Sequence, residues 1–187
     1  MKSVLISIKP KWCEKIANGK KTIEVRKSAP KEVPFKAYIY CTKEKKQDDI
    51  IWAGAFGDRG KWNGHIIGEF ICDKVYNLID AFGGIVFADE NLNQLEPQLF
   101  RNMSCLTDKQ TADYLEDKDG YGWHISDLKI YDKPKELNEF RSPCSRKQCA
   151  SWCKDMKLDG HVNCLNRDKR FLTRPPQSWQ YVEEVKV

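Results

Sequence analysis

The sequence predicts an α+β domain: a small mixed β-barrel with short flanking helices and a Cys-rich insertion. Three observations carry this. Five or six short segments are rich in strand-forming residues and are bounded by Gly, Pro and Asn. Few segments show helical spacing, as expected when strands dominate a small domain. Four of the eight Cys fall within 21 residues near the C-terminal end. The 187 residues suit a single domain, residues 1–187, with residues 142–170 as an insertion within it.

The elements follow in order. "SVLISI" (3–8) reads as a strand. Pro10 suits a first helical turn. Trp12, Cys13, Ile16 and Ala17 then fall on one apolar helical face, and Gly19 stands where a helix stop is expected. The next stretch, "NGKKTIEVRK" (18–27), is charged for a strand. Strand alternation sorts it: Ile23 and Val25 point to the core, Thr22, Glu24 and Arg26 point the other way, and Lys21 stands at the entrance. Further strands are predicted at 36–41, 65–75, 123–131 and 178–185. "LTDKQTADYLED" (106–117) reads as a helix, capped by Thr107 with Gln110 completing a capping box. The Gly-rich stretch from Gly54 to Gly64 matches neither a Walker A loop nor a dinucleotide fingerprint, and is predicted to expose Arg59, Lys61 and Trp62.

Charge is segregated along the chain. Residues 1–46 hold 13 Lys/Arg against 4 Asp/Glu, residues 47–140 hold 9 against 18, and residues 141–174 hold 9 against 3. Two basic segments flanking an acidic middle predict a basic face built from both ends, suited to a polyanion such as nucleic acid. No stretch has the length or apolarity of a signal or membrane-spanning segment, which predicts a cytoplasmic protein with no membrane partner. In that compartment the Cys are not expected to form a disulfide framework.

Cys144, Cys149, Cys153 and Cys164 form the cluster, with His161 three residues before the last. Four thiolates, or three with an imidazole, suit tetrahedral zinc. The segment is poor in core residues, so a structural zinc would supply its missing fold energy. Whether His161 replaces a Cys stays open. Cys13, Cys41, Cys72 and Cys105 sit singly on apolar patterns and read as core.

Gly19, Lys21, Glu24 and Arg26 form G-x-K-x-x-E-x-R, which resembles the signature of the ASCH domain family of the PUA-like superfamily. The opening "SVLISIKPKWCEKIAN" resembles that family too. "YGWHISDLKIYDKPKEL" (121–137) and "RPPQSWQYVEE" (174–184) resemble a bacterial and phage subgroup with a Cys-rich insert between these blocks. The resemblance implies a PUA-like barrel with a cleft beside the motif that takes RNA, a nucleotide or a modified base. Some members it resembles are ribonucleases, and one subgroup removes an acetyl group from N4-acetylcytidine. In that subgroup Thr stands at the position of Glu24, so this chain departs from it.

Three readings are open at this stage, two of them mechanisms at the motif and the third an interaction protein that docks onto a partner through the zinc module and basic surface. In a binding module, Lys21 and Arg26 neutralise a phosphate and Glu24 accepts from a base or organises the two cations. Trp123, or Ser178 and Trp179 after a Pro-Pro turn, are the ligand-binding candidates from the later blocks, the indoles stacking on a base. In a hydrolase of RNA or a modified nucleoside, Lys21 and Glu24 are the catalytic pair. His65 and His124 are further acid/base candidates that also read as strand residues with satisfied partners.

Overall fold

A computed structural model describes residues 2–43, 62–81, 84–88, 94–116, 118–143 and 170–184. Among the described residues, eleven strands and three α-helices follow in chain order: β1 (Ser3–Ile8), α1 (Pro10–Ala17), β2 (Ile23–Arg26), β3 (Phe35–Cys41), β4 (Ile66–Cys72), β5 (Val75–Ala81), β6 (Gly84–Ala88), α2 (Pro97–Ser104), α3 (Asp108–Leu115), β7 (Gly120–His124), β8 (Ser126–Lys135), β9 (Phe140–Arg141), β10 (Trp179–Tyr181) and β11 (Glu183–Glu184).

The expected closed barrel is corrected. The described strands form three open sheets, in the orders β10-β1-β3-β4-β8, β2-β7-β5-β6 and β11-β9. The reason lies in two strands that the sequence reads as continuous. Residues 65–75 divide at Asp73 and Lys74 into β4 and β5, and residues 123–131 divide at Ile125 into β7 and β8. At each break the chain leaves one sheet and enters the other. The two corners meet: the His124 N–H donates to the Lys74 carbonyl at 2.9 Å, and His124 Nδ1 lies 2.7 Å from Asp73 Oδ1. Among the described residues, the sheets are therefore joined through a fold in the strands and form no closed barrel. The terminal strand also divides, because β10 pairs with β1 while β11 turns to pair with β9.

The core has three parts. The largest lies on one face of the five-stranded sheet, where Val4, Ile6, Ile39, Phe70 and Trp123 pack with Cys13 and Ile16 of α1. The other face of that sheet carries Leu5, Tyr38, Tyr40 and Phe140. The third part places Ile23 and Val25 of β2 against Leu78, Phe100 of α2 and Leu115 of α3. A strand buried on both faces is expected to read as an apolar run, and "VLISI" does so.

Trp62 corrects a second expectation: it is buried in the main core, not exposed. Arg59 and Lys61 lie outside the described residues. Cys13, Cys41 and Cys72 are buried as expected, whereas Cys105 is partly exposed. Helix α2 has no counterpart in the sequence-based reading. Cys144, Cys149, Cys153, Cys164 and His161 all lie outside the described residues.

Candidate functional site

Local structure sets the site. Helix α1 ends at Asn18, and Gly19 takes the left-handed φ of +69° that a glycine adopts without strain. The Lys20 and Lys21 N–H groups then return to the Lys15 carbonyl at 2.9 and 3.0 Å. This turn delivers Lys21 inward. Its Nζ donates to the Ser104 carbonyl at 2.6 Å, at the C-terminal end of α2, where a cation interacts favourably with the helix dipole. The start of β2 is tied to the same helix, since the Thr22 N–H donates to the Met103 carbonyl at 2.8 Å.

Strand β2 supplies the other two charges. Ile23 and Val25 enter the core, and Glu24 and Arg26 face the opposite way, as the alternation predicts. Glu24 lies between two cations: Arg26 Nη2 is 2.8 Å from its Oε1, and Lys21 Nζ is 3.3 Å from its Oε2. Arg26 Nη2 also donates to the Ser7 carbonyl of β1 at 2.7 Å. All three are buried, with Lys21 2%, Glu24 6% and Arg26 6% exposed. They are not a solvated surface network. Burial pushes the Lys21 pKa below its ordinary 10.5, and Glu24 opposes that shift. Arg26 Nε is buried without a hydrogen-bond partner.

The three charges line a cavity of about 560 Å³, within the size range of small-ligand sites. Lys9, Lys11 and Trp12 line it from the start of α1, and Gln110, Asp113 and Tyr114 line it from α3. Trp12 is half-buried, and the ammonium groups of Lys11, Lys15 and Lys21 lie 4.7, 5.2 and 5.2 Å from its ring centroid. Gln177 adds a wall from the C-terminal segment. That segment is anchored by Ser7, whose hydroxyl donates to the Pro176 carbonyl at 2.6 Å and whose N–H donates to the Ser178 carbonyl at 2.9 Å.

The sequence-predicted site residues therefore divide. Lys21, Glu24 and Arg26 converge on the cavity, and Ser178 is bound through its backbone to Ser7 at the cavity's edge. Trp123 is 0% exposed, with its ring in edge contact with Phe35 and Trp179 at centroid distances of 5.0 and 5.7 Å. No open face remains for a base to stack on. Trp179 donates from Nε1 to Ser28 and packs on Trp123 and Tyr181, away from the cavity lining. The aromatic groups that do line the cavity are Trp12 and Tyr114. Their signal was in the sequence: Trp12 opens the helix just before the motif, and Tyr114 lies one turn after Gln110. His65 and His124 each have an acidic partner, Glu136 at 3.0 Å and Asp73 at 2.7 Å, and neither lines the cavity. Among the described residues, no group of three or more His, Cys, Asp or Glu is placed to hold a metal ion. No described helix is long and apolar enough to cross a membrane.

Solved structures of the ASCH protein from Zymomonas mobilis share this architecture. The protein without substitution superposes with a TM-score of 0.51 at 17% identity, over 97% of this chain and 87% of that chain. A variant with a Tyr-to-Phe change gives 0.52 at 17% identity, over 98% and 91%. A variant with a Ser-to-Ala change gives 0.54 at 16% identity, over 97% and 88%. No family model matches the sequence, and no curated protein matches it. At this identity the likeness is one of fold, and the chain has the ASCH-domain fold.

Proposed function

We propose that this ASCH-fold chain binds a nucleotide, free or within single-stranded RNA, in the cavity above Lys21, Glu24 and Arg26. One observation carries the reading: two buried cations, Lys21 and Arg26, line the cavity with only one buried carboxylate, Glu24, between them, so the cluster carries excess positive charge. An excess buried positive charge favours an anionic ligand group in the cavity. Glu24 organises the two cations, and Lys9 and Lys11 at the rim add charge that favours a phosphate. Trp12 and Tyr114 offer aromatic surface to a base, in place of Trp123 and Trp179.

The reading is tested by isothermal titration of nucleoside monophosphates and short single-stranded RNA at low salt. Binding that weakens about tenfold or more in Arg26→Met is expected, since hydrogen bonds to charged groups contribute about 1.5–3 kcal/mol. RNA binding should also fall steeply with salt. If neither nucleotides nor RNA bind at low salt, the reading fails.

The alternative is hydrolysis of RNA or a modified nucleoside by Lys21 and Glu24. The lowered Lys21 pKa supports it. Against it, Lys21 Nζ is already held by the Ser104 carbonyl and Glu24. The Cys-rich insertion is proposed to hold one structural zinc. Its two ends are fastened together, which suits a self-contained module: the Ser142 N–H donates to the Arg170 carbonyl at 2.9 Å, and Arg170 Nη1 donates to the Ser142 carbonyl at 3.0 Å.

A further inference from the structure

Helix α3 contributes two polar groups to the cavity whose hydrogen-bonding character is fixed. Gln110 and Asp113 are three residues apart, so they lie on one helix face, with Tyr114 beside them. Gln110 completes the capping box of its own helix: its Oε1 accepts from the Thr107 N–H at 3.1 Å, and its own N–H donates to Thr107 Oγ1 at 3.2 Å. That contact uses the amide oxygen and decides the amide's orientation. The cap leaves the NH2 group of Gln110 without a partner among the described residues, and that group is a donor. Asp113 makes no ion pair or hydrogen bond among the described residues, and its carboxylate is an acceptor with two oxygens. It is also the one acid that α3 places on a cavity that Lys9 and Lys11 line as well.

A carboxylate beside a fixed donor has a complement among the bases. Guanine presents two adjacent donors, N1–H and the 2-amino group, next to the O6 acceptor. Two donors side by side fit two carboxylate oxygens, a charge-assisted bidentate pair. Adenine and cytosine offer a single amino donor beside an acceptor ring nitrogen, and uracil a single N3–H between two carbonyls. From this we infer that the α3 wall selects guanine, with Asp113 accepting from N1–H and the 2-amino group and Gln110 Nε2 donating to O6. This rests on the nucleotide-binding reading. It adds the base that the cavity prefers.

The test compares GMP with IMP, which lacks only the 2-amino group, in wild type and in Asp113→Ala. Asp113 is exposed on a helix surface, so the alanine variant is expected to fold. Removing a negative charge raises affinity for every anionic ligand, so the GMP-to-IMP affinity ratio is the readout. Wild type is expected to bind GMP about tenfold more tightly than IMP, and the ratio is expected to fall to within about twofold of unity in Asp113→Ala. AMP, CMP and UMP are expected to bind more weakly than GMP. A wild-type ratio near one, or a ratio unchanged by Asp113→Ala, overturns the guanine inference and leaves the cavity's nucleotide binding intact. Failure of all five nucleotides to bind overturns the nucleotide-binding reading itself.

Discussion

Replacing Glu24 with Gln keeps the side-chain volume and removes the charge that holds Lys21 and Arg26 in place. Its carboxylate oxygens lie 2.8 Å from Arg26 and 3.3 Å from Lys21, and all three groups are at least nine-tenths buried. At an effective dielectric constant near 20, each contact is worth about 5–6 kcal/mol before desolvation is counted. Desolvation cancels much of that in the intact cluster, but not when one partner is removed. Breaking a buried pair costs about 3–5 kcal/mol, because an uncompensated charge stays buried. Glu24→Gln is therefore expected to lose about 3–5 kcal/mol in urea unfolding at pH 7, a large part of an ordinary domain's stability. The loss depends on pH, and its sign follows from Lys21. Burial already lowers its pKa and Glu24 opposes that, so removing Glu24 lowers it further. The folded variant then releases the Lys21 proton at a lower pH than the unfolded chain does. Where the unfolded chain binds more protons, stability rises with pH. The destabilisation should shrink as pH rises through the variant's lowered Lys21 pKa towards the ordinary 10.5. A loss below about 1 kcal/mol, the scale of a solvated surface pair, would refute the reasoning. So would a loss that does not change with pH.

Three further outcomes are expected. Burial pushes the Cys72 thiol from 9.0 up to about 12, so the native state keeps a proton that the unfolded chain releases. That contribution is fully present below pH 9 and is lost as pH rises towards 12, at about 1.4 kcal/mol per pH unit. Alkaline unfolding curves should therefore be shallower in Cys72→Ala than in wild type, and parallel curves would contradict this. Thr107→Ala removes the hydroxyl that accepts the Gln110 N–H, and should cost about 1 kcal/mol in thermal or urea unfolding; no change would mean that the cap does not hold α3. Metal analysis of the purified chain should find one zinc, released when Cys153 is changed to Ser, whereas no zinc with four titratable thiols in the insertion rules the metal out.

The legible parts of the sequence were those with local punctuation. Strand β1 stood out as a short strand-forming run, helix α1 was marked by Pro10 and Gly19, and the capping box of α3 was written in Thr107 and Gln110. The charged face of β2 was legible because period-2 alternation separates Glu24 and Arg26 from Ile23 and Val25. The strand breaks at Asp73–Lys74 and Ile125 were not, because neither carries Gly or Pro. They arise from a tertiary choice, a change of partner sheet, and the Asp73–His124 contact across them joins residues far apart in the chain. Helix α2 had a weak signal in Pro97, Leu99, Phe100 and Met103, too short to stand out. For the site, the motif located the floor but not the walls. Which tryptophan reaches the cavity depends on packing: Trp123 fills the space between Phe35 and Trp179, and Trp12, half-buried against the main core as its helix stripe implies, also borders the cavity.

The most direct measurement is a crystal structure of the chain soaked with nucleoside monophosphates. A nucleotide is expected in the cavity, with its phosphate near the cationic groups of Lys9, Lys11 and Arg26 and the base against Trp12 or Tyr114. A nucleotide bound elsewhere, with the cavity empty, would contradict the assignment of this cavity as the ligand site.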